Sequence, residues 1–361
     1  MEHFCYLGGI CIAVICIFLV EQHGSYEMIL AAGLIFFVLL GVMGSGIHYL
    51  VFVVRGDGRH LGKMMGTAYA LGIFFQFVNN HFVGNETAQA LVLSMALLLF
   101  VILFMRLENE AQAVQGGKTT EEGQGTFPGP KRTLAAGISL ITCVILMTCI
   151  FSTLDIAVTM VHAAGSADIG RWPRLLLAVS GMAAGILYDI KDRQYMTVMM
   201  YCVTLLSTIC VVVIQMGGPF LAGLVVFYLS AGFFVVFFTV GFLDFAQYAQ
   251  MPEFWAGIGR AVNNLCAVLT SSLSVALLEL GNGMALIIAT LLLFVGITVA
   301  IYIYQSQLRR QSPERAGIME MDDVAKFAAF SQSFSLTDRE QEVLKVSWIR
   351  MPASRRSQSS F

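Results

Sequence analysis

Apolar residues come in long runs along this chain, separated by short polar breaks. The runs lie near 4–21, 27–54, 62–82, 87–106, 133–164, 173–190, 195–216, 219–244, 254–280 and 283–304. Each is about 20 residues long or more, the length of α-helix that crosses a hydrocarbon core of about 30 Å. The pattern predicts an all-α, polytopic transmembrane bundle of about ten helices.

Composition sharpens this picture. The chain is 57% hydrophobic and 12% charged, whereas soluble domains carry about 25% charged residues. The net charge of −2 selects no partner class. Cys5, Cys11, Cys16, Cys143, Cys149, Cys202, Cys210 and Cys266 all fall inside apolar runs without metal-ligand spacing. They read as small buried hydrophobes rather than disulfides. The first run follows Met1-Glu2-His3, which has no Lys or Arg, and no small-x-small cleavage site precedes Glu21. It reads as a retained membrane helix and not a signal peptide.

Charge in the breaks sets the orientation. Arg55, Arg59, Lys63, Arg106, Lys118, Lys131, Arg132, Lys191 and Arg193 fall on one side, with Arg309 and Arg310 of the tail, while Arg171 and Arg174 fall on the other. The Lys- and Arg-rich side is the cytoplasmic one. An even number of helices then puts both termini in the cytoplasm. The segment after Arg106 is rich in Gly, Gln, Glu and Thr and reads as a flexible linker. The chain therefore divides into a first membrane half of four helices at 1–106, a linker at 107–132, a second half of six helices at 133–304, a second linker at 305–334 and a tail at 335–361.

Polar groups inside the apolar runs mark a cavity or a helix contact. Asp155 is the sharpest, set among Ser152, Thr153 and Thr159. A carboxylate at the bilayer centre costs about 2.5–3.5 kcal/mol on insertion scales, so it is expected to face the bundle interior. Gln76, Asn79 and Asn80 share one helical face by spacing, and His48 lies inside the second run. Asp155, Gln76, Asn79 and His48 are the candidate cavity residues. His81, Asn263 and Asn264 read as helix contacts, and Gly181 and Gly185 as a close-packing pair. No nucleophile–base pair, phosphate loop or metal-ligand cluster stands out, so the reading includes no enzyme activity, metal or cofactor.

The tail carries a distinct string. Thr337 and Glu340 form a capping box, with Asp338 and Glu340 in the first turn of the helix they open. Taken together, Leu336, Thr337, Arg339, Glu340, Glu342, Val343 and Leu344 resemble the opening of a LuxR-type helix-turn-helix domain. The resemblance covers about ten residues. It implies a bacterial cell (inner) membrane location and a helical module whose later recognition helix reads DNA. No such helix is recognisable after Leu344.

A second resemblance is in the loop Gly185-Ile186-Leu187-Tyr188-Asp189-Ile190-Lys191-Asp192-Arg193. It is similar to the Gly-x-Leu-x-Asp-(x)n-Arg loop of the major facilitator superfamily, which joins the second and third helices of each half. Asp192 stands where that family has Gly, and Ile190 where it often has Arg. The resemblance implies that Gly185, Asp189 and Arg193 form a cytoplasmic gate, with Asp189 capping a neighbouring helix and pairing with Arg193. Gly44-Ser45-Gly46 with Arg55, Asp57, Arg59, Gly62 and Gly66 resembles the fourth and fifth helices of such a half. Ser230-Ala231-Gly232 through Asp244 to Gly257 and Gly259 looks like its weak repeat. The first half is then two helices short.

These resemblances give two functional readings. One is a membrane-bound LuxR-type transcriptional regulator with a transporter-like sensor domain, truncated at both ends and unable to read DNA in this form. DNA is then a partner only of an intact homologue. Permitted codons for 346–361, read in another frame, encode a continuation of a LuxR-type domain, which suggests a frameshifted remnant. The alternative is a major facilitator transporter of a small molecule. The expected partners are the lipid bilayer and an unidentified small-molecule ligand.

Overall fold

The computed structural model of the chain describes residues 2–22, 24–55, 60–117, 130–163, 172–191, 193–247, 249, 251–279 and 284–307. Every regular element among them is an α-helix. These are α1 (Glu2–Glu21), α2 (Tyr26–Arg55), α3 (Leu61–Phe82), α4 (Glu86–Gly117), α5 (Pro130–Ala163), α6 (Trp172–Tyr188), α7 (Met196–Gln215), α8 (Phe220–Ala246) and α9 (Pro252–Glu279), then α10 (Met284–Gln307). Met1–Tyr304 form one compact unit and Gln305–Phe361 a second. Of the second unit only Gln305, Ser306 and Gln307 are described, at the end of α10. The string from Leu336 to Leu344 lies outside the described residues.

Among the described residues, six stretches are long and apolar enough to cross a membrane: Tyr26–Val54, Glu86–Val114, Leu134–Met160, Met196–Gln215, Phe220–Ala246 and Met284–Gln307. Gly8–Glu21 and Trp172–Tyr188 are shorter apolar helices. This fits a membrane protein. α3 and α9 carry polar residues along their length: Lys63, Gln76, Asn79 and Asn80 on α3, and Glu253, Arg260, Asn263 and Asn264 on α9.

Local sequence explains where the helices start and stop. Pro130 and Pro252 are the first residues of α5 and α9, Pro173 is the second of α6, and Pro219 is the cap of α8. A first-turn position leaves the backbone N–H unpaired, so proline loses nothing there. The chain turns out of α7 at Gly217, which lies two residues past the helix end and has φ 82°. Gly217 donates to the carbonyl of Ile214 at 3.0 Å and Gly218 to that of Val213 at 2.9 Å. This closes the last turn of α7, and α8 starts three residues later. A residue with a Cβ adopts such a left-handed conformation at a cost of about 1–2 kcal/mol.

α4 departs from the expected layout. It runs to Gly117, well into the segment read as a linker from residue 107. Glu108, Glu110, Ala111, Gln112 and Ala113 are good helix formers, and Ala111 is buried. Propensity and one buried contact therefore carry the helix past the apolar run. Residues 118–129 of that linker lie outside the described residues.

Packing divides the helices into two sets. α1, α2 and α4 pack on one another, around Ala13, Ile17, Ala90 and Leu97. In the second set α8 is the hub, touching α5, α6, α7 and α9. Phe237, Phe238, Phe242 and Leu243 of α8 are almost wholly buried. A second cluster joins Leu154 and Val158 of α5, Cys210 and Val211 of α7, Leu224, Phe227 and Tyr228 of α8 and Leu286 of α10. At one junction α3 packs on α6, and also on α8, within the second set; at the other α2 packs on α9 and joins the two sets.

Small residues make both junctions. A Cβ added to Gly66 of α3 would sit 2.5 Å from the Gly181 carbonyl oxygen and 2.8 Å from Gly185 Cα. One added to Gly257 of α9 would sit 2.9 Å from Cβ of Ser45 on α2. Hydroxyls reinforce the second set. Ser180 Oγ donates to the Tyr228 carbonyl at 3.2 Å, and the Tyr188 hydroxyl to the Phe233 carbonyl at 3.0 Å. Between α5 and α9, Thr153 meets Ser274 at 3.0 Å and Ser152 meets Ser271 at 3.3 Å.

Candidate functional site

Two features stand out, and α3 takes part in both. The first is at its start. His60 is the N-cap residue of α3, has φ 58° and makes no side-chain cap. The first-turn N–H groups of α3 then need another acceptor. Asp189, just past α6, supplies it. Its Oδ1 accepts the N–H of Gly62 at 2.9 Å and its Oδ2 that of Lys63 at 2.7 Å. These are the second and third residues of α3, the positions a local N-cap side chain would serve. The negative charge also complements the positive end of the helix. Gly62 allows the approach: a Cβ there would lie 2.6 Å from the Gly185 carbonyl oxygen and 2.8 Å from Asp189 Oδ1.

The turn that holds Asp189 is tight. Lys191 and Arg193 adopt left-handed backbone angles, φ 47° and 66°. Gln194 and Met196 donate back to the carbonyls of Lys191 and Arg193. Arg193 reaches Asp244 near the end of α8, with Nη2 to Oδ1 at 2.9 Å. Gln247 Nε2 donates to the same oxygen at 3.2 Å. Gly185, Asp189 and Arg193 thus tie the α6–α7 turn to the start of α3 and the end of α8.

The second feature is a cavity of about 500 Å³, within the usual range of ligand pockets. Its walls come from both sets. Phe37, Leu40, Gly41, Gly44 and His48 belong to α2, Met65, Ala68 and Tyr69 to α3, and Phe100 to α4. Val235, Val236 and Thr239 belong to α8, and Arg260 and Asn264 to α9. Arg260 rests its guanidinium over the Phe238 ring at 5.8 Å, and its charge reaches His48 and Tyr69. Tyr69 and Arg260 each lie eight residues into their helices, about 12 Å from the starts at about 1.5 Å per residue.

The residues expected around one cavity are not brought together. His48 lines it; Asp155, Gln76 and Asn79 do not. Gln76 and Asn79 lie seven and ten residues beyond Tyr69 along α3, about 10–15 Å away. Gln76, Asn80 and His81 are exposed, whereas Asn79 is buried, so the three amides do not act as one face. Among the described residues Asn79 Oδ1 has no hydrogen-bond partner. His81 stacks on Phe77. Asp155 is exposed on α5, and its charge, with that of Arg174, reaches Tyr228. Asn263 accepts from Thr148 Oγ1 at 3.2 Å and joins α9 to α5.

Arg260, Tyr69 and Thr239 are the polar cavity residues that the sequence did not single out. Arg260 had a signal, a cation in the middle of an apolar run. Tyr69 and Thr239 had none, since each is ordinary in a membrane helix. Among the described residues no three His, Cys, Asp or Glu side chains gather at a metal site. Cys11, Cys16, Cys143, Cys149, Cys202, Cys210 and Cys266 are free thiols. No protein-family model and no curated protein matches the chain.

Proposed function

We propose that the chain is the membrane sensor of a LuxR-type transcriptional regulator. A transporter-like bundle of about ten membrane helices, with both ends cytoplasmic, binds a small molecule in the cavity between its two helix sets. The occupied and empty arrangements of the sets bias the tail, which opens a LuxR-type helix-turn-helix at Leu336. The Asp189 cap on α3 carries the transporter-like part of this reading. One carboxylate fixes the start of α3, and the same helix lines the cavity two turns further on. The regulator part rests on the string Leu336, Thr337, Arg339, Glu340, Glu342, Val343 and Leu344.

The cavity also supports a second reading, a major facilitator transporter, because its walls come from both sets. One experiment separates the two. Residues 1–335 are joined to a complete LuxR-type DNA-binding domain whose operator drives a reporter, and a small-molecule library is screened. A compound that changes reporter output without accumulating in vesicles supports the sensor. Saturable accumulation of compounds that leave the reporter unchanged supports the transporter.

A further inference from the structure

The charge in the cavity is of one sign. Its lining contains no Asp or Glu, and among the described residues no carboxylate pairs with Arg260. The guanidinium rests against the face of Phe238, 5.8 Å from the ring centroid. A cation inside an apolar bundle costs several kcal/mol unless it is compensated, and a ring face compensates it only in part. The cavity that Arg260 opens onto offers a place for a counter-charge.

The other polar groups fit the same occupant. Asn264 lies one turn beyond Arg260 on α9. Its Oδ1 accepts from Asn263 Nδ2 at 3.3 Å, which leaves its own amide nitrogen as a donor. Tyr69 and His48 face the cavity from α3 and α2. Apart from Thr239, the rest of the lining is apolar, with Phe37, Leu40, Met65, Phe100, Val235 and Val236 its largest side chains. One fixed cation beside an apolar chamber of about 500 Å³ suits a single negative charge on an apolar body. A multiply charged phosphate would leave charge uncompensated against these walls.

We propose that the cavity takes a small organic monocarboxylate with an apolar or aromatic body, and that Arg260 is its counter-charge. A planar guanidinium matches a carboxylate in geometry as well as charge. The inference rests on the reading of this cavity as the ligand site and names the ligand class. It also says why binding moves the protein. Arg260 and Asn264 belong to one helix set, and His48 of α2 to the other. An anion between them interacts with both sets and favours the arrangement that holds them together.

The test uses the full chain in lipid nanodiscs and two photoreactive probes of the same shape, 4-benzoylbenzoate and its neutral amide. Cross-linked peptides are mapped by mass spectrometry. The acid is expected to label the cavity-lining segments of α2, α3 or α8 about tenfold more than the amide, the scale of one charge-assisted contact. Arg260→Gln removes that preference, and Arg260→Lys keeps part of it. Acid and amide labelling the cavity equally in the unaltered chain overturns the anion assignment and leaves the ligand cavity standing. Wild-type labelling by the acid in Arg260→Gln overturns it too. No cavity labelling by either probe, in protein that melts cooperatively, overturns both this inference and the ligand-site reading. The acid–amide comparison in the unaltered chain decides the matter even where Arg260→Gln fails to fold.

Discussion

The carboxylate of Asp189 accepts the backbone N–H of Gly62 at 2.9 Å across 127 positions of the chain. The helix it caps has no cap of its own, because His60 offers none. A removable side chain therefore determines how firmly α3 is seated against α6. Asp189→Ala leaves the N–H groups of Gly62 and Lys63 without this acceptor. It is expected to cost about 1 kcal/mol, the usual scale of a lost N-cap. Hydrogen exchange at Gly62 and Lys63 should quicken while α7 and α8 stay as protected as before. Unchanged exchange at the start of α3 would count against the cap.

Glycines on α3 differ sharply in what surrounds them. A methyl at Gly66 meets the Gly181 and Gly185 backbone, whereas one at Gly72 meets nothing within 4 Å. Gly66→Ala is expected to destabilise by about 1–3 kcal/mol through overpacking. Gly72→Ala should stabilise slightly, by up to about 1 kcal/mol, because alanine is the better helix former. Melting temperatures in one detergent give the comparison. Equal effects at the two sites would show that α3 and α6 do not pack this closely.

Arg193 and Asp244 are both partly shielded, with side chains 15% and 31% accessible. Their pair should therefore lie near the upper end of the surface range, about 1 kcal/mol. A double-mutant cycle with Arg193→Ala and Asp244→Ala is expected to give that coupling. It should weaken when salt is raised. A coupling near zero at low salt would remove the pair from the account.

Much of the architecture was legible along the chain, and the reasons are local. Proline at residues 130, 173, 219 and 252 and glycine at 217 and 218 mark helix boundaries that the apolar runs only approximate. The spacing of Gly181 and Gly185 announced a close contact, though not that Gly62 and Gly66 of α3 would meet it. The loop from Gly185 to Arg193 stood out by its charges. The partners of Asp189 and Arg193 are long-range, so no spacing rule reaches Gly62 or Asp244. The cavity was the least legible feature. Five helices contribute to it, and its residues become neighbours only through packing. His48 was singled out for being polar in an apolar run. Arg260 carried the same signal in a stronger form. Asp155 and Gln76 carried it as well, yet they lie elsewhere in the fold.

The central claim is that a cavity open to a water-soluble ligand lies between the two helix sets of a membrane-embedded bundle. Cysteine labelling in intact membrane vesicles tests it most directly, with the native thiols replaced. Ala68→Cys and Thr239→Cys line the cavity, while Val295→Cys and Val299→Cys lie on the exposed face of α10, 59% and 53% accessible. The account predicts that a charged methanethiosulfonate reagent modifies the first pair and spares the second, which lipid covers. Modification of the α10 positions, with the cavity positions silent, would contradict it.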